Sequence, residues 1–564
     1  MIDLFPPFLL FVAGAALLPF IPNGHPRALA AASVPVISVY LIWMMPEGMH
    51  GQFTLVGQEL TLLRVDKLST IFGLIFSLAA FLGLIFAWYV RDTIQQTMSL
   101  LYAGTAIGAV FAGDLISLFI FWEGTAIASV FLIWARRTEG AYWTGMRYLI
   151  VQVGSGVILL AGMVLQYNET GSMAFEAMTL GSPATWAIFI AFGVKCAFPL
   201  LHNWMPDAYP AATVTGTVIL SVFTTKLAIY ALARGFAGTE ILIYIGATMA
   251  IFPVFYAVIE NDLRRVLTYS LNQQLGFMVV GIGVGTELAL NGTIAHAFAS
   301  ILYQALLFMS IGAVLFRTGT AKASELGGLY KTMPLTMVFC VIGAASISSF
   351  PLFSGFVSKS LILSASMQEG YYIVWGILLF ASAGAFIHSG IKVPFFAFFA
   401  QDSGLRPKEA PWNMLLAMGL TASLCIAIGV YPYPLYALLP YDVDYVPYTT
   451  THVVTQLQLL FFYMLAFVVL MKTGIYPPEL KSVNLDFDWT YRKLGPAIIR
   501  SVRSLIQAVW GALIGASLRG LNFGVATLER AHGTEGPLAR AWPTGSMVLW
   551  IAVLLGGVLL LNYM

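Results

Sequence analysis

A small set of side chains able to take up and release protons stands in surroundings that are otherwise almost entirely apolar. Glu123 lies in LFIFWEGTAIAS, Lys195 in AFGVKCAFPLLHNW and Lys226 in SVFTTKLAIYAL. His296 follows in GTIAHAFAS, Lys359 in SGFVSKSLIL, and His388 with Lys392 in AFIHSGIKVPFF. A charge near the middle of a bilayer costs at least ~2.5 kcal/mol on insertion scales, so residues of this kind are kept for pairing or for transport. A buried lysine that also feels a carboxylate can load and unload a proton, and a glutamate that approaches or leaves it changes its proton affinity. Occupancy of one site can then drive the next. The plainer reading, a static tie between helices, suits a single pair better than Glu123, Lys195 and Lys226 spread over three spans. His296 reads equally as a relay or as a satisfied buried imidazole. His388 and Lys392 read as interior polar anchors, with Lys392 near enough to a span end to snorkel.

The elements that must position these groups follow from composition. Of 564 residues 59% are apolar and 10% charged, with a mean hydropathy of +0.84, so lipid must solvate much of the surface. The formal charge of +2 carries no clustered basic face, which argues against nucleic acid. Cys196, Cys340 and Cys425 lie apart in apolar runs and read as small core residues, and no catalytic triad, nucleotide loop or metal-ligand spacing is present. No cofactor or metal is therefore expected. The N-terminus, MIDLFPPFLLFVAG, lacks a basic n-region and reads as a retained first span.

Breaks at Gly, Pro and charge clusters predict an all-α polytopic membrane protein of about sixteen spans, among them 185–203, 212–233, 332–363 and 371–400. Alternate loops are rich in Arg27, Arg91, Arg136, Arg137, Arg264, Arg265, Arg317, Lys322, Lys331, Arg406 and Lys408, whereas the others hold little beyond Arg64, Lys67 and Arg234. The positive-inside rule places the first set in the cytoplasm and both termini outside it, in a bacterial inner membrane. Two spans carry prolines next to a lysine: Pro199, in Phe198-Pro199-Leu200 beside Lys195, and Pro351, in Phe350-Pro351-Leu352 before Lys359. Breaks in buried helices free backbone groups for ions or water, and paired breaks point to inverted repeats, although Lys195 precedes its proline and Lys359 follows. Residues 472–545 differ in character. From Pro496 the apolar positions recur with a helical period, which predicts an amphipathic helix along the interface before a last span at 546–564.

Five separated motifs carry a resemblance. They are DLISLFIFWEGTAIAS, VKCAFPLLHNWMPDAYPAA, TTKLAIYALAR, ENDLRRVLTYSLNQQLGF and SSFPLFSGFVSKSLIL. In order and spacing the chain resembles the antiporter-like subunits shared by Mrp-type multisubunit Na+/H+ antiporters and respiratory complex I. HSGIKVPFFAFFAQDSGLRP looks closer to the antiporter D type. The resemblance implies fourteen core helices with two inverted five-helix repeats. The expected organisation is N-terminal helices in 1–112, a first repeat in 94–235, a second in 239–400, further core helices in 411–471, the amphipathic extension 472–545 and the final span 546–564. It also implies that Glu123 pairs with Lys195, that Lys195 carries the proton, that Lys226 links toward the centre and that Lys359 ends the second half. His202 and Asp207 match family positions near the first break, with capping and packing as the local alternatives.

One departure stands out. Where many members place a second His and a Lys after the position of His296, this chain has Ser300 and Gln304, which hold no positive charge; with water, the hydroxyl and amide support proton passage, or else this half does not conduct. The resemblance implies other membrane subunits of a hetero-oligomeric antiporter as partners, with H+ and Na+ as cargo. Two alternatives stay open: a proton-pumping subunit of a redox-driven complex such as a complex I relative or hydrogenase, and a partner for inorganic-carbon uptake or a non-conducting scaffold.

Overall fold

The structure is a computed structural model describing residues 5–55, 57–480, 484, 486–534, 536–537, 540 and 543–564. The first residues of the chain and parts of 472–545 lie outside them. Helices begin where Pro and capping side chains allow. In chain order they are α1 (Pro7–Leu17), α2 (His25–Met44), α3 (Lys67–Phe86), α4 (Thr93–Phe111), α5 (Leu115–Trp134), α6 (Glu139–Thr170) and α7 (Pro183–Lys195). Next come α8 (Trp204–Ala211), α9 (Val214–Leu220), α10 (Thr224–Gly235), α11 (Ile241–Ile259), α12 (Leu263–Val284), α13 (Glu287–Thr318), α14 (Pro334–Ile347) and α15 (Ser354–Gln368). The remainder are α16 (Tyr372–Ala385), which continues as π-helix over Phe386–Lys392, then α17 (Trp412–Val430), α18 (Tyr433–Ala437), α19 (Thr450–Thr473), α20 (Gly495–His532) and α21 (Thr544–Tyr563). Asp66, Asp114, Ser182 and Thr286 each accept a backbone N–H at a helix start, the arrangement expected of N-caps.

Among the described residues twelve helices are long and apolar enough to cross a membrane, with three shorter apolar helices beside them. The protein is mostly helical and polytopic, and several of the expected spans are broken. The predicted spans 185–203, 212–233 and 332–363 are each interrupted: α7 stops at Lys195, α9 and α10 are separate, and so are α14 and α15. The stretch read as interfacial, within Thr490–His532, is one of the twelve by length and composition.

The all-α expectation also needs correcting. Gly48–Leu55 (β1) and Gln58–Val65 (β2) pair antiparallel, with Gly48 opposite Val65 and Leu55 opposite Gln58. Leu60, Leu63 and Val65 are buried, while Gly57 takes the positive φ that the tight turn requires. Asp114 accepts from Thr61 N (2.8 Å) and Arg64 donates to Phe175 O (2.7 Å), which pins the hairpin to the ends of neighbouring helices.

The chain divides into two compact units, 1–484 and 485–564. In the first, α13 is the axis: it packs on α3, α9, α12, α14, α15 and α17 and is buried over most of its length. The second unit consists of α20, α21 and their connections, and neither helix contains a buried residue.

Candidate functional site

The site is built on two helix breaks with one backbone design. At the first, Ala197 (φ 61°) and Leu200 (φ 70°) are left-handed and flank Phe198-Pro199; at the second, Ser349 (φ 57°) and Leu352 (φ 75°) flank Phe350-Pro351. Four non-glycine residues in this region are rare, and each costs about 1–2 kcal/mol. Proline cannot donate a hydrogen bond, so both breaks leave carbonyls of the preceding half-helix available. The second break uses one directly. Lys359 begins beyond it on α15, and its Nζ reaches back 3.0 Å to Ile347 O, the last residue of α14. Lys195 is the last residue of α7. Lys359 therefore brings its ammonium to the end of the half-helix before its break, whereas Lys195 ends its half-helix in the chain and sends its ammonium to α5.

In the first half, Lys195 is 0% exposed. Its Nζ donates to Trp122 O and, at 2.8 Å, to Thr125 Oγ1, and it stands 4.3 Å from the centroid of the Trp122 ring. Glu123 is the charged neighbour of that ammonium, half-buried, with Oε1 accepting no hydrogen bond among the described residues. Its carboxylate lies against α6 at Gly156, where a Cβ would overlap Oε1. Lys226 is also buried, and the break between α9 and α10 accounts for it: Nζ donates to Ser221 O at 2.9 Å. No proline or glycine marks this break, so sequence reasoning passed over it.

His296 lies on α13, with Lys359 and Lys226 as its charged neighbours. Its Nδ1 is 3.1 Å from Ser358 Oγ, the residue beside Lys359, and its Nε2 is 3.1 Å from Gln274 Oε1. Tyr303 closes the group, its hydroxyl 3.3 Å from Gln274 Oε1. From there the polar contacts leave α13. Gln274 Nε2 is 3.4 Å from Gln273 Oε1, which is 3.1 Å from His388 Nε2, and His388 Nδ1 is 2.8 Å from Ser389 Oγ. Ser300 and Gln304, the positions singled out on α13, are not in this line. Ser300 bonds its own helix at Ala297 O (3.0 Å), and neither amide atom of Gln304 has a partner among the described residues.

Lys392 does not snorkel. It is 0% exposed, donates to Val258 O and Glu260 O at 2.7 Å each, and pairs with Glu479 at 2.9 Å. Immediate proximity of a carboxylate removes the need to reach water. His202 is buried with its ring 4.6 Å from that of Phe252, and Asp207 is held by Arg147 Nη2 at 2.8 Å. Asp207 also lines a cavity of about 350 Å³ with Arg136, Asp262 and Arg265. Contacts gather the basic loops at this end: Arg136 bonds Pro210 O, Arg265 bonds Pro206 O, and Lys331 and Arg406 share Asp402. Arg64, Asp66 and Arg234 form a separate cluster with the hairpin.

Sequence reasoning missed Gln273, Gln274, Tyr303, Ser358 and Glu479. The available signal was LNQQL, a polar run inside a span-length apolar segment; Glu479 carries none, because its partner lies far away in the chain.

Residues 112–385 match the family described as "NADH:quinone oxidoreductase/Mrp antiporter, TM". Over 352 residues the chain is 31% identical to the D-type subunit of the Na(+)/H(+) antiporter of Alkalihalophilus pseudofirmus, covering 58% of this chain and 71% of that one. It is 28% identical over 433 residues to NAD(P)H-quinone oxidoreductase chain 4 1 of Synechococcus sp. (strain JA-3-3Ab), covering 70% and 80%. Of some longer relatives it spans less, 52% of the A-type subunit of the same antiporter and 62% of a hydrogenase-4 component B. Its fold resembles a chain of the membrane-bound sulfane sulfur reductase, an archaeal respiratory membrane complex, with a TM-score of 0.72 at 21% identity over 100% of both chains.

Proposed function

The chain belongs to the NADH:quinone oxidoreductase/Mrp antiporter transmembrane family, and from that premise we propose that it is a D-type, proton-conducting component of a multisubunit Na+/H+ antiporter. Its partners are other membrane subunits, in a bacterial inner membrane with both termini on the non-cytoplasmic side. Two inverted five-helix repeats, 94–235 and 239–400, would each supply one broken helix. Protons would pass by way of Glu123, Lys195, Lys226, His296 and Lys359, with His202, Asp207, His388 and Lys392 in support.

One observation carries this reading: Lys195, Lys226, Lys359 and His296 lie at no more than 1% exposure inside the helical core, two of the lysines at breaks of matching backbone. Such groups are expensive to keep in an apolar interior unless they work there. A closed, permanent ion pair would remove the expense, yet Lys195 bonds to α5 backbone and Thr125 while Glu123 Oε1 stays unbonded.

The test is exchange by the whole complex in inverted vesicles. Na+ should collapse an imposed pH gradient, and Lys195→Ala or Glu123→Ala should each reduce the rate by about a hundredfold or more, the scale of a lost proton-transfer group. Wild-type exchange in both variants would reject the assigned roles. The kinship to a quinone oxidoreductase chain favours a second reading, redox-driven proton pumping through the same residues. It is distinguished by proton movement that needs an electron donor and ignores Na+.

A further inference from the structure

We propose that the Lys392–Glu479 pair is a gate, through which protons pass between the arginine-rich face and the second half of the conducting line. The inference rests on the transport reading above and adds a site and a carboxylate to it.

The place is unusual for an ion pair. Side-chain exposures are 0% for Lys392 and 7% for Glu479, so both charges have left water, an arrangement that brings little net stability. The two partners are attached differently. Lys392 ends the π-helical turn Phe386–Lys392, a geometry concentrated at functional positions because it misaligns backbone bonds. Glu479 comes from the irregular segment after α19, and neither of its oxygens makes a hydrogen bond of good geometry among the described residues. A carboxylate held to its partner mainly by charge, on a segment without helical bonds, can separate from it when protonated.

The surroundings supply both sides of a gate. Outward, Lys392 donates to Glu260 O, and the Glu260 carboxylate meets Arg265 at 3.7 Å and Asn484 Nδ2 at 3.2 Å. Arg265 in turn lines the cavity containing Asp207. Inward, His388 lies four residues before Lys392 on the same π-turn, and its Nε2 contacts Gln273, which adjoins Gln274, itself bonded to His296. Burial pushes the Glu479 carboxyl up and the Lys392 ammonium pulls it down; the net position is above the usual carboxylate range.

The step balances in charge and atoms. Lys392 ammonium gives a proton to the His388 imidazole and becomes an amine. Glu479, protonated from the aqueous side, then returns one to Lys392, restoring the ammonium–carboxylate pair with one proton moved inward.

The experiment uses the whole complex in inverted vesicles, with assembly read on native gels and Lys195→Ala as reference. Glu479→Gln should assemble and lower proton flux about tenfold or more, with Glu479→Asp recovering most of it. The exchange Lys392→Glu with Glu479→Lys should restore assembly if Glu479→Gln loses it, but not flux. Wild-type flux in Glu479→Gln, or in the assembled exchange variant, overturns the gate while a dead Lys195→Ala leaves the transport reading standing. Full flux in Lys195→Ala as well would reject both.

Discussion

At the scale of residues, the interior lysines divide by what their ammonium groups touch. Lys226 and Lys359 each bond a carbonyl freed by a helix break, Lys195 bonds α5, and Lys392 alone among them meets a carboxylate within 3 Å. The position of Glu123 depends on an absence, since Gly156 leaves the space its carboxylate occupies. Gly156→Ala would place a methyl where Oε1 now lies and displace the carboxylate from its present position. Exchange should then fall about as far as in Glu123→Ala while the complex still assembles; a Gly156→Ala complex exchanging at the wild-type rate would show that the carboxylate's position is immaterial. The ionisable residues were legible in the sequence because a charge in an apolar run has no innocent explanation. Gln273 and Gln274 were not, because an uncharged amide gives no comparable contrast and its partners, His388 and His296, sit on other helices.

At the scale of elements, prolines revealed two breaks, whereas the break before Lys226 has no such marker and depends on how neighbouring helices pack. The hairpin was hidden by its length, since eight-residue strands are short beside the spans around them. Its anchor offers a pH test. Asp66 caps α3 and pairs with Arg64 (3.3 Å) and Arg234 (2.8 Å), joining β2 to α3 and α10. Burial pushes its carboxyl up, but Arg234, Ser69 N–H and Arg64 outweigh that and leave it below the ordinary value. A depressed carboxyl contributes stability above its unfolded pKa of about 3.9 and loses it as pH falls through the folded value. Asp66→Asn keeps the cap, because the amide oxygen still accepts from Ser69 N–H, but loses the charge, and should therefore destabilise the detergent-solubilised protein by about 1 kcal/mol at pH 7, the scale of a part-exposed pair. The gap to wild type should close below about pH 4. A gap of constant size across that range would mean that packing, not charge, holds the junction.

At the scale of the whole molecule, the unit 485–564 stands apart in its chemistry. The 38 residues of α20 would extend about 57 Å as a helix, and Ile498, Leu505, Trp510, Leu513 and Leu521 are all exposed along it. Neither α20 nor α21 buries a side chain, so the apolar surface of this unit is open along both helices. The core itself is braced along its axis. Asn291 near one end of α13 exchanges bonds with Tyr441 (2.9 and 3.2 Å), and Arg317 near the other bonds Glu409 O (2.9 Å), so the helix is tied at both ends to the segments flanking α17 and α18. With 32 residues it measures about 48 Å, well beyond the hydrocarbon layer. A strut pinned at both ends keeps a fixed length whatever the thickness of the surrounding lipid. In thinner or thicker membranes the peripheral helices must tilt to compensate, while the depth of His296 relative to either water phase is set by the protein.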